Sequence, residues 1–389
     1  MRVALILERF DPRLGGQERS TREMAEALVA AGASVTVVCA ESADATRAPT
    51  ATDPSLGVHR VAVGKGPKAV RTVAFVNAAA RYCAEAGFEI AHAIAPCPSA
   101  SVYQPRGGTY VETIARSVER GASPIAKTWR RLTRLFNHKQ RRLAAIEQAM
   151  LTQTNPPFVA CGSEYVRRTL IAGFPGFPAD RAVVVFNAVN TTGLSPPELA
   201  PRRAAARERL RLASDEAVVV FIAHNFGLKG LSELLTAMAL RPAEWRLLVA
   251  GRGDFRPFAR QVVRLGLKDR VVYAGAVDDP RDLYATGDVL AHPTWYDPCS
   301  RVVIEAAAAG LPVVTTRFNG AAEVLSNETG VVIDSPRDTH ALTDGIDKCL
   351  TPEYRAAAMT SAADVRSRVS IERHARELME LYQRVLTDR

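Results

Sequence analysis

Asp297 and Glu305 flank a predicted helix start within HPTWYDPCSRVVIEAAAAGLP, residues 292 to 312. A carboxylate accepts two hydrogen bonds and therefore suits a vicinal diol, such as that of a ribose or a hexose. Between the two acids, the backbone N–H groups of residues 300 to 302 begin the helix, where they are unpaired and can bind a diphosphate. The alternative is an N-capping aspartate and a solvated glutamate. However, Glu305 falls in an otherwise apolar helix, where an unpaired acid is costly.

Two further turns carry residue types suited to phosphate binding. Lys229 stands between glycines in HNFGLKG, residues 224 to 230, where it can neutralise a phosphate at the end of a strand. An exposed lysine without a ligand is the alternative, since the Walker spacing G-x-x-x-x-G-K-[ST] is missing. Gly15 and Gly16 precede a predicted helix and let backbone N–H groups approach a ligand, with a plain turn as the alternative. Their spacing is not G-x-G-x-x-G, so no nicotinamide dinucleotide is indicated.

Parallel sheets must position these turns, because short apolar runs alternate with helical patterns along the chain. Strands are predicted at 3–8, 34–40, 58–63, 90–94, 101–104, 158–161 and 183–186, and again at 217–223, 246–250, 271–274, 289–292, 312–315 and 331–334. A proline-rich break at 190–203 separates the two sets. We therefore predict an α/β fold with two Rossmann-like, doubly wound domains, 1–195 and 196–370, that face a cleft. Ligands in such sheets bind beyond the carboxyl ends of the strands.

The composition indicates a globular protein with acidic partners. The chain has 389 residues, of which 47% are hydrophobic and 23% charged, and its formal net charge is +9. No stretch reaches the roughly 18 apolar residues of a membrane span, and charges follow the N-terminal apolar run too soon for a signal peptide. We therefore expect a cytoplasmic protein. Its six cysteines are scattered and form no Cys-x-x-Cys motif, so no zinc site is predicted.

Residues 111–150 carry most of the positive excess and include a basic amphipathic pattern. Apolar residues keep helical spacing while basic residues fill the other faces, which is typical of a helix on an anionic membrane surface. A helix that packs on its own domain and a site for a phosphorylated acceptor are the alternatives. Stacking aromatics and a recognition helix are missing, so no nucleic acid is expected as a partner. The predicted membrane or acceptor contacts are Trp129, Arg130, Arg131, Arg134 and Phe136.

These motifs resemble those of glycosyltransferase family 4, retaining sugar transferases of the GT-B fold. Asp297 and Glu305 match the two acids of the family's Glu-x7-Glu motif, with Asp297-Pro298-Cys299-Ser300 in place of Glu-Pro-Phe-Gly. His224 with Lys229-Gly230 matches its Arg…Lys-Gly pair, and Gly15-Gly16 matches its N-terminal glycine loop. The nearest likeness within the family is to the lipopolysaccharide core glucosyltransferases. The motifs that carry it are Gly15-Gly16-x-x-Arg19, Phe226-Gly227-x-Lys229-Gly230 and Val102-Tyr103.

The resemblance implies a role for each matched residue. Glu305 is expected to hold the ribose diol and Asp297 the hydroxyl groups of the donor sugar, while Lys229 stabilises the leaving diphosphate. His92 lies at the end of the fourth predicted strand, near the family's acceptor, and is the third expected catalytic residue; a structural histidine is the alternative. The expected donor-binding residues are Gly15, Gly16, His224, Asn225, Lys229, Arg252, Gly253, Val277, Asp297, Ser300, Arg301, Val302 and Glu305.

The resemblance also implies the reaction. A hexose moves from a nucleotide sugar, preferably a UDP-sugar with GDP left open, to a saccharide or lipid-linked acceptor. The anomeric configuration is retained without a metal or another cofactor. The alternatives are an epimerase-like enzyme of the same fold and a catalytically impaired binding or scaffold protein. The resemblance further packs the C-terminal helix, 371–389, back onto the first domain. If the basic segment contacts a membrane, the expected location is peripheral, on the inner face of the cytoplasmic membrane.

Three departures from the family pattern bear on the donor site. His224 replaces the expected arginine, so donor binding is expected to weaken above about pH 6.5, where a histidine loses its charge. Asp297 is one carbon shorter than glutamate, and Ser300 adds a hydroxyl group where glycine is usual. Both changes bear on which sugar fits.

Overall fold

The computed structural model describes residues 1–10, 16–40, 55–121, 123–134, 137–241, 245–277 and 279–388. The chain divides into two compact units. One consists of Met1–Asn187 together with Ile371–Arg389, and the other of Ala188–Ser370. Each unit contains one parallel sheet whose central strands are buried on both faces by helices.

Thirteen strands form the two sheets, and each overlaps one of the thirteen predicted strands. The first sheet has the order β3-β2-β1-β4-β5-β6-β7 and the second β10-β9-β8-β11-β12-β13, with parallel pairing throughout. The strands of the first sheet are β1 Arg2–Ile6, β2 Ser34–Ala40, β3 Leu56–Val61, β4 Ile90–Ala93, β5 Val102–Tyr103, β6 Phe158–Cys161 and β7 Ala182–Val184. Those of the second are β8 Val218–Ile222, β9 Arg246–Ala250, β10 Val271–Gly275, β11 Val289–His292, β12 Val313–Thr316 and β13 Gly330–Ile333.

Fourteen α-helices accompany these strands in the part of the chain that is described. The first unit contains α1 Gly16–Ala30, α2 Lys68–Ala86, α3 Tyr110–Glu119, α4 Pro124–Arg134, α5 His138–Leu151 and α6 Glu164–Gly173. The second contains α7 Pro196–Arg209, α8 Leu231–Ala239, α9 Arg256–Arg264, α10 Arg281–Thr286, α11 Arg301–Ala308, α12 Thr339–Leu350 and α13 Pro352–Arg368. The last helix, α14 Ile371–Thr387, belongs to the first unit.

The boundary between the units follows Asn187 and does not lie at residues 195 and 196, where the sequence placed it. Two hydrogen bonds explain the difference. The N–H of Val189 donates to the carbonyl of Val369 at 3.1 Å, and the guanidinium group of Arg301 donates to the carbonyl of Ala188 at 3.3 Å. The segment before the predicted boundary is therefore held by the second unit.

Helix α14 completes the core of the first unit. Its buried side chains Leu378, Leu381 and Tyr382 belong to the same apolar cluster as strand β1 and helix α1. The helix has the amphipathic pattern expected from its sequence, and its apolar face is the one that is buried. The C-terminal segment is therefore an integral part of the first unit.

Glu147 on α5 is a buried carboxyl group in the first unit. One oxygen accepts from the Tyr103 hydroxyl and the other from the backbone N–H of Tyr110, each at 2.7 Å. Burial raises the pKa of Glu147 to about 7, although both hydrogen bonds act to lower it. The folded state therefore keeps a proton that the unfolded state releases near pH 4.3, and stability is lost as the pH rises from about 4.3 to 7.

The variant Glu147→Gln is expected to raise the free energy of unfolding at about pH 8 by about 3 kcal/mol, because glutamine does not ionise. At about pH 4 the variant and the natural protein should differ little, since Glu147 is then largely protonated in both the folded and the unfolded state. Urea unfolding at both pH values measures this, with Glu353→Gln on the exposed face of α13 as the control. An equal effect of Glu147→Gln at the two pH values would contradict the prediction.

Candidate functional site

The candidate site lies where the loops after β8 and β11 meet. These strands are neighbours in the second sheet, and the strand order reverses between them, which leaves a crevice at their carboxyl ends. The carbonyl of Leu228 in the first loop accepts hydrogen bonds from two groups of the second, the N–H of Trp295 at 2.9 Å and the hydroxyl of Thr294 at 3.2 Å. Two motifs that are far apart in the sequence therefore form one site.

A glycine allows this close approach. Gly230 has φ +84°, and a Cβ at this position would lie 2.0 Å from the carbonyl oxygen of Pro293. No side chain can occupy that space, so the loop after β8 can contact the loop after β11 only with glycine at position 230. The neighbouring residue, Lys229, is thereby fixed beside the second loop.

Lys229 and Asp297 form an ion pair at the centre of the site. The ammonium nitrogen is 2.6 Å from Oδ2 of Asp297 and donates to the carbonyl of Tyr296 at 3.0 Å. Burial alone would raise the pKa of Asp297, but the charge and the hydrogen bond of Lys229, with His292 close by, outweigh it and hold that pKa well below its usual range. The carboxylate is therefore ionised at neutral pH and is directed at Lys229.

His292 is a member of the site that the sequence analysis did not single out. It ends β11, is buried, and lies with Nε2 3.7 Å from Oδ2 of Asp297. Within the described part of the chain, neither ring nitrogen has a hydrogen-bond partner. Burial lowers the pKa of His292, and Asp297 offsets this in part, so the ring is neutral at pH 7. Its position at the carboxyl end of a strand was the available signal.

Glu305 is held on α11 by two neighbours. Its Oε2 accepts from the hydroxyl of Tyr284 at 2.7 Å, and its Oε1 lies 3.5 Å from the guanidinium of Arg301 one helical turn earlier. The carboxylate is half-buried, as a group that binds a ligand must be. Helix α11 therefore does not carry an unpaired acid, and Tyr284 is a second contributor that the sequence analysis missed.

The start of α11 differs from the expectation in one respect. The N–H of Ser300 was expected to be unpaired, yet it donates to Oδ1 of Asn319 at 3.2 Å. Asn319 lies after β12, and its side chain also accepts from Ala321 at 3.0 Å, so it fixes the loop on this side of the site. Val302 is the last of the three residues whose backbone N–H groups were predicted to bind a diphosphate. It lies half-buried on the first turn of α11.

The loops after β8 and β9 bring His224 and Arg252 together. A Cβ at Gly251 would lie 1.7 Å from the carbonyl oxygen of Ala223, and a Cβ at Gly253 would lie 2.8 Å from that of His224. The two glycines therefore let the loops touch, with Arg252 between them. Burial and the charge of Arg252 lower the pKa of His224. The weakening of donor binding that the sequence analysis expected above about pH 6.5 is therefore corrected to a lower pH.

Two other residues that were predicted to contact the donor, Asn225 and Val277, follow β8 and β10. Oδ1 of Asn225 accepts from the N–H of Leu228 at 3.0 Å and so shapes the loop that carries Lys229. Val277 follows β10 and is half-buried. Gly15 lies outside the described residues, and Gly16 is the first residue of α1.

His92 lies inside the first unit and not on its surface. It is fully buried on β4, and its Nδ1 is 2.6 Å from the hydroxyl of Tyr382 on α14. Burial lowers the pKa of His92 to about 3, and the nearby charges of Arg106 and His374 act in the same direction. The structure thus favours a structural histidine, the alternative that the sequence left open, over the expected catalytic one.

Helix α4 leaves its apolar side chains in solvent. Ile125, Trp129 and Leu132 occupy one helical face and are 83%, 68% and 49% exposed. Arg130, Arg131 and Arg134 lie on the same helix, and Phe136 lies outside the described residues. The predicted pattern continues into α5, where Leu143 and Met150 are buried, so the alternative that the segment packs on its own domain holds for α5 but not for the exposed apolar side chains of α4.

Neither a metal cluster nor a membrane-spanning helix occurs among the described residues. No group of three or more His, Cys, Asp or Glu side chains there is placed to hold a metal ion. None of the described helices combines the length and the apolar character needed to cross a bilayer.

Comparison with protein families and curated sequences identifies relatives of both halves. A family model described as Glycosyltransferase Family 4 matches residues 14–192, and one described as Glycosyl transferases group 1 matches residues 216–352. An uncharacterized glycosyltransferase of Methanocaldococcus jannaschii is 28% identical over 53% of this chain and 55% of its own. A D-inositol 3-phosphate glycosyltransferase of Xylanimonas cellulosilytica is 33% identical over 50% of this chain and 48% of its own. The chain thus spans about half the length of these curated relatives.

Solved structures resemble the chain over its full length. The lipopolysaccharide glycosyltransferase WaaG has a TM-score of 0.79 at 21% identity and covers 98% of this chain and 99% of its own. Sucrose-phosphate synthase from Thermosynechococcus elongatus has a TM-score of 0.77 at 24% identity and full coverage of both chains, 100% each. HepE of Anabaena, solved in complex with UDP, has a TM-score of 0.73 at 18% identity, covering 98% and 100%. At these identities the likeness shows a shared fold.

Proposed function

Since the chain belongs to glycosyltransferase family 4 and its two parallel-sheet units have the GT-B fold, we propose that it transfers a hexose from a nucleotide sugar to a saccharide or lipid-linked acceptor. The observation that carries the proposal is the site between β8 and β11. There the ammonium group of Lys229 lies on the loop after β8, and the half-buried carboxylate of Glu305 lies on α11, the helix that follows the loop after β11. Hydrogen bonds join the two loops. This set offers a cation for a diphosphate and an acceptor for a ribose diol.

In the proposed mechanism, Lys229 stabilises the negative charge that develops during transfer. As the bond between the sugar and the diphosphate breaks, negative charge grows on the leaving oxygen, and an ammonium group held in place stabilises it. Asp297 fixes that ammonium group and, in the proposal, also contacts hydroxyl groups of the sugar. We propose retention of configuration, with the leaving phosphate assisting and no dedicated protein base. Side-chain cations and helix N-termini take the place of a metal ion.

UDP is the preferred nucleotide of this proposal. The structural relative from Anabaena was solved with UDP, with UDP and glucose, and with UDP-glucose, which supports the choice of a uridine nucleotide in this proposal. The lipopolysaccharide glucosyltransferase WaaG of Escherichia coli, 29% identical over 37% of the chain, supports a saccharide acceptor.

An epimerase-like activity differs from the proposed transfer in one respect that can be measured. It would convert the nucleotide sugar without any acceptor.

Calorimetric titration with UDP, GDP and ADP tests the donor site. We expect UDP to bind and Glu305→Ala to weaken binding about tenfold or more, because a diol hydrogen-bonded to a charged group loses about 1.5–3 kcal/mol. The control is Glu328→Ala, which removes an exposed carboxylate elsewhere in the second unit. If no nucleotide binds the natural protein, the proposed function is wrong.

UDP binding is expected to weaken as the pH rises through the lowered pKa of His224, below about pH 6.5. The protonated ring adds positive charge beside Arg252 and attracts the diphosphate, whereas the neutral ring does not. Between about pH 7 and 8 the affinity contributed by His224 should stay constant, since the ring is already neutral there. Titrations of the natural protein and His224→Gln from about pH 5 to about pH 8 isolate the effect from the titration of UDP itself. Identical pH profiles for the two proteins would contradict the prediction.

We also propose that α4 contacts an anionic membrane surface. Its exposed apolar face with Trp129, next to Arg130 and Arg131, combines the two features of an interfacial helix. Each arginine near such a surface contributes about 1 kcal/mol. Peripheral attachment would keep the enzyme at a lipid-linked acceptor.

Sedimentation with phosphatidylglycerol vesicles at low salt tests this contact. The double variant Arg130→Gln/Arg131→Gln is expected to reduce the partition coefficient about thirtyfold, from about 1 kcal/mol per charge. The matched control is Arg260→Gln/Arg264→Gln, which removes two exposed arginines from α9 in the second unit. Failure of the natural protein to sediment with these vesicles, or equal losses in both double variants, would overturn the proposal.

A further inference from the structure

A pocket separate from the candidate site lies at the opposite ends of the strands of the second sheet. Its volume is about 200 Å³, and its lining includes Asp288 and Pro312, the residues immediately before β11 and β12. It therefore opens at the amino ends of these strands, whereas Lys229 and Asp297 follow the carboxyl ends. Apolar residues of three helices and a turn form its walls, among them Leu199, Ala285, Leu311 and Met359.

Three arginines converge on one carboxylate at this pocket. Asp288 is buried, and its oxygens lie 2.6 Å from Arg203, 2.9 Å from Arg207 and 2.9 Å from Arg355. Burial and the charge of Arg203 lower the pKa of Arg207, although Asp288 acts in the opposite direction. The cluster thus carries more positive than negative charge, and Arg203 and Arg355 belong to the pocket lining. An anion bound there would offset the repulsion among the guanidinium groups.

The size and the walls of the pocket restrict what can bind. An apolar cavity of about 150 Å³ is large enough for benzene, so about 200 Å³ accommodates one ring with a small substituent. Walls of this kind exclude a sugar or a nucleotide, which need many hydrogen-bond partners. We propose that this pocket binds a small organic anion, a carboxylate or phosphate monoester carried on an apolar body the size of one ring.

Tyr284 connects this pocket to the candidate donor site. It lines the pocket, and its hydroxyl donates to Oε2 of Glu305 at 2.7 Å. A molecule that packs against Tyr284 therefore changes the surroundings of the carboxylate that is assigned to the ribose diol. The pocket is thus a regulatory site, and this part of the inference rests on the proposed function. Linkage requires the anion and UDP to alter each other's affinity by the same factor.

Binding of benzoate and phenyl phosphate, compared with neutral benzamide, tests the site by ligand-observed NMR on the full chain. We expect saturable binding of at least one anion and none of benzamide. Arg355→Gln should weaken anion binding about tenfold, the value of a lost charge-assisted hydrogen bond. Arg355 is 45% exposed, so this variant should fold, and Arg368→Gln on the same helix is the matched control. Met359→Trp at the 56% exposed rim should also weaken binding, by narrowing the entrance.

The results of these experiments test the proposed pocket and the proposed transferase function separately. Equal binding of benzoate and benzamide, or binding of neither anion, overturns the proposed site. Anion binding that is unaffected by Arg355→Gln overturns its location. Anion binding that leaves the UDP affinity unchanged overturns the regulatory role. If UDP fails to bind while an anion binds at this pocket, the proposed transferase function is wrong and the pocket assignment stands.

Discussion

Replacing Lys229 by methionine is expected to lower kcat about a hundred- to a thousandfold. The ammonium group is the cation that Asp297 and the carbonyl of Tyr296 hold at the site, and removal of one such group from a developing negative charge has effects of this size. Steady-state transfer or donor-hydrolysis kinetics measure the loss. Lys268→Met, an exposed lysine of the same unit, is the control and should retain full activity.

The variant Lys229→Met alone also leaves Asp297 without its ion-pair partner, so a second variant must separate stability from catalysis. Without Lys229, burial would raise the pKa of Asp297 and destabilise the fold by about 2–3 kcal/mol. The double variant Lys229→Met/Asp297→Asn removes that unpaired charge and should regain most of the stability without regaining activity. If the double variant were active, the catalytic role assigned to Lys229 would be wrong.

Gly230→Ala is expected to destabilise the protein by about 3 kcal/mol or more and to abolish UDP binding. The added Cβ would lie 2.0 Å from the carbonyl oxygen of Pro293, so the loops after β8 and β11 must separate. Gly266→Ala is a matched control, because Gly266 has φ +70° but an added Cβ there would meet no atom within 4 Å. The control should lose only about 1 kcal/mol, the cost of the left-handed backbone. Urea unfolding and UDP titration of both variants measure the contrast, and equal losses would contradict it.

The strands were predictable because their signal is local. Runs such as VVVFI in β8 and VVTT in β12 are apolar and β-branched, which favours buried parallel strands wherever they occur. The helix after β11 could also be predicted from local sequence. Ser300 marks the start of this helix, and the apolar run that follows marks its buried face. The boundary near residue 188 was less predictable, because it depends on a hydrogen bond between Val189 and Val369.

The partners within the candidate site could not be predicted from sequence. Lys229 and Asp297 are 68 residues apart, and they meet only because β8 lies beside β11 in the sheet. The lowered pKa of His224 comes from burial and from the charge of Arg252, which lies on the loop after another strand, β9. His292 reads as the last residue of an apolar strand, and only the structure shows its ring beside Asp297. Motifs identified the loops, whereas strand order decided which side chains touch.

The place of α14 in the first unit has a consequence for the order of synthesis. The second unit is made from one continuous stretch, Ala188–Ser370, whereas the first needs residues from both ends of the chain. On the ribosome, the second unit can therefore complete its core while the first still lacks Leu378, Leu381 and Tyr382. The half of the protein that is translated first is thus the half that finishes folding last. Until then, the apolar surface that α14 will cover is available to chaperones.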